Sequence, residues 1–347
     1  MRRLRSASAH NDAAARASAR GSNALKCVLL AALLAMACAV SAVLGASSVG
    51  LSDLIALACG DTSDAARNIL MNVRLPRVAA AALAGCALAA AGAVIQGVLN
   101  NPLASPNVIG VNSGAGFAVL VVSAFAPGAA AFLPAAAFAG ALATAGVIFA
   151  ISMRSRASKL VVVLAGMALT TIFGAGMNAI LIVDPDAYVG SSMFLVGGLS
   201  GVKFSELAWP AAYVAAGLMA SLCLSRVLDV LSLGDAAAHG LGVNVAASRI
   251  ACLAVAAMLA GAAVSFAGLI GFVGLVVPHI ARHFVGSRSR DVIAASALLG
   301  SLFVVVCDSV ARCAFAPYEL PVGILLALIG GPFFIYLVLR KGGAHGE

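Results

Sequence analysis

Asp308 and Arg312 stand four residues apart inside an otherwise apolar run, and Arg74 and Arg77 bracket a Leu-Pro step in the sequence RLPR. Charges in such surroundings are expensive, so they either pair or serve a partner. At the mouth of a helical bundle, Arg74, Arg77 and Arg312 can hold acidic groups of a docking protein or an anionic ligand. The alternatives are that Arg74 and Arg77 anchor a helix among lipid headgroups and that Asp308 and Arg312 form a plain i, i+4 pair. Spacing alone leaves these readings open.

His279 and His283 form a second i, i+4 pair, a spacing that suits a shared metal or haem iron. No carboxylate or cysteine lies near them in sequence, and His283 follows Arg282 at a helix end that favours cations, so a metal role is not expected. The third feature is Leu231 to Val243, LSLGDAAAHGLGV. Gly234 and Asp235 can start a short helix that Gly240 or Gly242 stops, leaving leucines projecting from a loop. Such a helix is either a docking knob or a linker lying in the headgroups.

Hydrolytic chemistry has no site. None of the four lysines (Lys26, Lys159, Lys203, Lys341) follows a glycine, so there is no G-x-x-x-x-G-K-[ST] phosphate loop, and H-E-x-x-H, G-x-S-x-G and C-x-x-C are absent too. Eight cysteines are scattered through mostly apolar stretches without zinc-ligand spacing and read as small core residues. No cofactor or metal is expected, and the chain is not expected to be an enzyme.

The elements that must carry these residues are set by composition. The 347 residues are 63% hydrophobic and only 10% charged, with a mean hydropathy of +1.08. That is far too apolar for a water-soluble domain. Continuous apolar runs of about 20 residues favour a helical bundle over a barrel, whose strands need about 10 alternating ones. The 36 glycines suit helices that pack closely in lipid. A formal charge of +8 does not imply nucleic acid, because the basic residues flank apolar runs.

Along the chain, residues 1–24 read as a basic, disordered tail. The first span runs from Leu25 to about Ser47; a secretory signal is the rival reading, but the run exceeds the usual apolar core of one. Gly50 to Asn72 reads as an amphipathic surface segment, and Arg74 opens the second span, to about Leu99, with Pro76 in the first turn. Spans three to five follow at about Asn107–Ala126, Ala129–Ile151 and Leu160–Val183. Met193 to Leu199 is too short to cross and reads as re-entrant or interfacial. Spans six to ten lie at about Glu206–Arg226, Ile250–Phe266, Gly268–Gly286, Val292–Cys313 and Pro321–Leu339. The expected fold is therefore an all-α membrane protein with ten transmembrane helices in residues 25–340, and 341–347 as a second tail. Ten spans place both termini on one side. Of the 21 Lys and Arg, only Arg67, Arg74, Arg77, Lys203 and Arg312 then fall on the other. The positive-inside bias assigns the termini to the cytoplasm.

The motifs taken together resemble the permease subunits of bacterial ABC importers for iron-siderophore complexes, haem and vitamin B12. They are the RLPR sequence, the Asn101-Pro102-Leu103-Ala104-Ser105-Pro106 turn with GVNSGA from Gly110, the Leu231–Val243 loop, GFVGLVVPH from Gly271, and Glu319-Leu320-Pro321-Val322-Gly323 with Gly331-Pro332-Phe333-Phe334. The resemblance covers nearly all of residues 74–340. It implies a homodimeric bundle in the bacterial inner membrane, a dimer of cytoplasmic ABC ATPases and a periplasmic substrate-binding protein. By the same resemblance, Arg74, Arg77 and Arg312 are docking sockets for that binding protein. Ser232, Leu233, Gly234, Asp235, Leu241, Gly242 and Val243 belong to the loop that couples to the ATPase. Asn101 and Leu103 help close the cytoplasmic end of the substrate path. An iron chelate is the expected cargo, with cobalamin the alternative. An ion-coupled secondary transporter is the rival class, but it needs membrane-embedded acids for coupling, and Arg312 can neutralise Asp308.

Overall fold

The computed structural model describes residues 2–44, 51–59, 63–154, 159–314 and 318–342. Residues 45–47 of the first expected span, Arg156 of the basic loop and residues 343–347 of the C-terminal tail lie outside them. Among the described residues the regular structure is all helix, with no strand. In chain order the helices are α1 (Arg2–Val43), α2 (Leu51–Cys59), α3 (Asp64–Ile69), α4 (Leu75–Leu99), α5 (Val111–Phe125), α6 (Leu133–Arg154), α7 (Lys159–Val183) and α8 (Asp186–Val196). They continue as α9 (Phe204–Cys223), α10 (Ser225–Leu231), α11 (Asp235–Gly240), α12 (Val245–Ala267), α13 (Val273–Val285), α14 (Ser289–Cys313) and α15 (Val322–Gly342). Helix α1 includes the basic stretch read from sequence as a tail.

Eight helical segments among the described residues are long and apolar enough to cross a membrane: Gly21–Val43, Asp64–Leu99, Pro127–Arg154, Lys159–Val183, Phe204–Cys223, Val245–Ala267, Ser289–Cys313 and Val322–Leu339. The other two of the ten expected spans are the shorter helices α5 and α13. Apolar composition runs past both of their starts, but the backbone does not. A 3-10 turn at Pro106–Ile109 and a left-handed Gly110 delay α5. Before α13, Phe272 has φ of 65° and the Leu269 amide donates to the Phe194 carbonyl, so Gly268–Phe272 is a loop. The expected opening of a span at Arg74 also moves: α3 passes through a π-helical stretch, Leu70–Arg74, into α4 without a break. Leu75 N bonds back to Leu70 O, and Pro76, which has no N–H to give, follows where the regular ladder is already interrupted.

The bundle is organised around α4, which is almost wholly buried and packs against α9, α12, α13 and α14. Its alanines and glycines make this possible. A Cβ built on Gly85 would lie 2.1 Å from the Gly300 carbonyl oxygen of α14, and one on Gly92 would lie 1.9 Å from that of Gly274. Backbone-to-backbone contact of this kind is how helices associate where no hydrophobic effect drives them together. The peripheral helices are the reverse, with Leu25, Val28 and Leu33 of α1 and Leu160, Met167 and Ile182 of α7 facing outward.

Candidate functional sites at the two ends of the bundle

Contacts fix the directions of the three helices that carry the charges. At one end, Asn23 of α1 donates to Asp291 of α14 at 3.0 Å, and at the other Ser309 of α14 donates to Ser41 of α1 at 2.8 Å, so α1 and α14 run parallel. Helix α4 runs the opposite way, with Arg77 near its start bonded to Asp308 near the end of α14. One end of the bundle therefore gathers Arg74, Arg77, Asp308 and Arg312. The other gathers the end of α4, the start of α14 and the α10–α11 segment, where Leu228 packs on Gly97 and Ser289 N donates to Asp229 at 2.8 Å. The 25 residues of α4 separate the two by about 37 Å at roughly 1.5 Å per residue.

At the arginine end, one carboxylate serves two guanidiniums. Arg77 Nε donates to both oxygens of Asp308 (3.1 and 3.0 Å), and Arg77 Nη2 donates to Oδ1 at 3.1 Å. Arg312 Nε lies 3.2 Å from Asp308 Oδ2. Arg77 Nη1 also donates to Glu319, whose other partner is the Ser200 hydroxyl. Asp308 is 1% exposed and the Arg77 side chain 7%, whereas that of Glu319 is 46% exposed, so Glu319 is the member of the cluster open to solvent. Burial pushes the Glu319 carboxyl up, but the Arg77 hydrogen bond and charge outweigh it and hold the group below the usual carboxylate range.

The remaining donors close the end of α1. The last carbonyls of a helix lack partners within it. Arg74 Nη1 donates to the carbonyls of Ala42 and Val43 at 2.9 and 2.7 Å. Arg312 donates to those of Leu44 and Ser41 at 3.2 and 3.0 Å, and to the Ser41 hydroxyl at 2.7 Å. Cations here also meet the negative end of the helix dipole. All three arginines are buried, and Arg312 makes the i, i+4 pair the sequence suggests. Sequence reasoning missed Glu319 and Ser41 as partners, and it missed that Asp308 turns to Arg77 as well as to Arg312. The acidic residue in the ELPVG motif was the available signal for the first.

At the opposite end, the short helix expected from glycine spacing is present as α11, between Gly234 (φ 100°) and Gly242 (φ 82°). Val243 N bonds to Ala238 O at 3.1 Å and Gly242 N to His239 O at 2.9 Å, closing the C-terminal turn. Asp235 is tied on two sides, accepting from the buried Arg249 of α12 at 2.8 Å and lying 3.8 Å from Lys159 of α7. Leu233 and Leu241 remain 64% exposed. Ser232 caps inward, donating to Asp229 O at 2.6 Å. The result is a short helix braced from below with two leucines held outward.

Asn101 and Leu103 stand in the turn after α4, where Asn101 Oδ1 accepts from Leu103 N at 3.0 Å. Leu103 packs against the small buried cluster of Leu275, Val276 and Leu337. The two residues line an open cavity of about 450 Å³ with Val163, Met167 and Thr170 of α7. His279 and His283 lie with ring centroids 5.0 Å apart and their planes tilted by 48°, and His283 Nδ1 lies 3.0 Å from the His279 carbonyl oxygen. Among the described residues no three His, Cys, Asp or Glu side chains come together as a metal site.

The sequence and fold have known counterparts. The model of the FecCD transport family matches residues 33–340. The permease protein FhuB of the iron(3+)-hydroxamate import system of Bacillus subtilis is 43% identical over 276 residues, 79% of this chain and 72% of that protein. The permease protein HmuU of the hemin transport system of Yersinia pestis is 38% identical over 286 residues, 81% of this chain and 86% of that protein. A solved metal-chelate-type ABC transporter in an inward-facing conformation superposes with a TM-score of 0.80 at 28% identity, covering 92% of this chain and all of that one.

Proposed function

The chain belongs to the FecCD transport family, and from that premise we propose how its two charged ends divide the work of import. It is a membrane permease subunit of an ABC importer, not an enzyme, and its relatives carry ferric hydroxamate and hemin. Its cargo is an iron chelate. The eight long helices and the shorter α5 and α13 together make ten crossings per subunit, and two subunits enclose the substrate path as a homodimer in the bacterial inner membrane. Both termini face the cytoplasm, as the bias of basic residues favours.

The observation that carries the reading is the placement of α11 and the arginine cluster at opposite ends of α4. In the proposed cycle, α11 with its exposed Leu233 and Leu241 sits in a groove of the cytoplasmic ATPase, and Asp235, held by Arg249 and Lys159, passes the movement to α12 and α7. At the far end, acidic groups of the binding protein dock over Arg74, Arg77 and Arg312. Glu319 is the exposed carboxylate on Arg77, so an incoming carboxylate exchanges with it. Asn101 and Leu103, beside the open cavity along α7, close the cytoplasmic side of the path. The permease contributes a differential fit to two states, and the ATPase supplies the energy.

Replacement of Gly234 and Asp235 together is the direct test of coupling. The variant is expected to hydrolyse ATP in complex with the ATPase while chelate uptake into vesicles falls; normal coupling would remove α11 from the mechanism. Uptake of radiolabelled ferric hydroxamate, hemin and cyanocobalamin with the cognate binding protein identifies the cargo, and transport of cyanocobalamin alone would overturn the iron-chelate assignment.

A further inference from the structure

Two adjoining cavities at the end of the bundle where α1 begins, of about 460 and 550 Å³, share the wall residues Leu222, Arg226, Arg288 and Arg290. Arg226 stands at the start of α10, just beyond α9, and Arg288 and Arg290 stand at the start of α14. All three are exposed, and among the described residues none makes an ion pair. The two carboxylates in the same walls are already engaged, Asp291 by the Asn23 amide at 3.0 Å and Asp229 by Ser289 N at 2.8 Å. Three guanidiniums against two hydrogen-bonded carboxylates leave the groove positive.

Its depth is set by the helices around it. The spans Gly21–Val43, Phe204–Cys223 and Ser289–Cys313 all reach this level at their ends. Below it the wall is apolar and open to the outside, with Met219 64%, Leu25 61% and Val28 63% exposed. A cationic rim above an outward-facing apolar wall matches one chemistry, a phosphate with acyl chains beneath it. We infer that this groove binds the headgroup of an anionic phospholipid from the adjacent leaflet, with Arg226, Arg288 and Arg290 on the phosphate. Arginine suits the task because its planar donors grip phosphate in pairs.

The test uses the full chain purified in neutral detergent, with phosphatidylglycerol, phosphatidylcholine or inorganic phosphate added at equal concentration. Retained lipid is read by native mass spectrometry and stability by the thermal unfolding midpoint. Phosphatidylglycerol is expected to be retained and to raise the midpoint, with phosphatidylcholine and inorganic phosphate inert. The triple variant R226Q/R288Q/R290Q should weaken phosphatidylglycerol retention roughly tenfold to a hundredfold, since each basic residue near an anionic headgroup counts. The exposed single change R288Q is the second variant, with a smaller loss in the same direction, and K203Q at the other end is the unaffected control. Equal retention by parent and triple variant would overturn the proposal. So would an equal response to inorganic phosphate, which would mark an anion site without lipid. Intact lipid retention with lost co-purification of the ATPase would make the groove a protein contact instead.

Discussion

Asp308 pairs with two arginines from a position 1% exposed to solvent, so its removal leaves Arg77 with Glu319 alone and Arg312 with no carboxylate. Breaking a buried pair from one side typically costs about 3–5 kcal/mol. Asp308→Ala is accordingly expected to lower unfolding stability by about that amount in detergent, read from denaturant or thermal midpoints. A variant as stable as the parent would show that the cluster contributes nothing net. Glu319 behaves differently because it is half in solvent. Its folded carboxyl lies below the ordinary range, so its contact with Arg77 stabilises the fold at neutral pH and is lost as acidification passes through the lowered value. Midpoints measured against pH for the parent and Glu319→Gln should converge on the acid side and separate toward neutrality. The sequence shows these residues as charges in apolar runs. It does not show their partners, because Arg77 and Asp308 are 231 residues apart and only packing brings them together.

Among the elements, α4 and α14 depend on contact without intervening side chains. A Cβ on Gly300 would meet the Gly85 carbonyl oxygen at 2.3 Å and the Ala89 methyl at 2.4 Å, whereas one on Gly146 of α6 meets nothing within 4 Å. Gly300→Ala should cost about 1–3 kcal/mol through overpacking. Gly146→Ala should cost nothing and serves as the control, both read as shifts in the unfolding midpoint. Composition identifies the glycine-rich helices but not which glycines touch. The same blindness explains α5 and α13, which the sequence reads as full-length spans because the apolar letters continue. The left-handed Phe272 and Gly110 and the 3-10 turn at Pro106–Ile109 shorten them, and hydropathy carries no record of backbone angles. Helix α11 was legible because Gly234 and Gly242 declare its limits in the letters themselves.

For the molecule as a whole, opposite placement of α11 and the arginine cluster gives a direct check of topology. In a background with the exposed Cys59, Cys223 and Cys313 replaced, a cysteine at 235 should react with an impermeant maleimide only from the cytoplasmic side, and one at 319 only from the periplasmic side. Labelling of both from one side would dismiss the proposed import geometry. Membrane class, helix order and the positions of both charged ends were legible in the amino-acid order, since each rests on local composition. The arginine groove between α1, α9 and α14 was not, because it arises where three distant segments end at the same level.

The long separation of Arg77 from Asp308 also sets a problem of biogenesis. The ribosome delivers Arg77 to the membrane 231 residues before its counterion exists. At about 5–20 residues per second that is a wait of roughly ten to fifty seconds. Through that interval α4 must rest in the translocon or the lipid with the Arg77 guanidinium at the aqueous border, and it becomes the enclosed centre of the bundle only when α14 arrives.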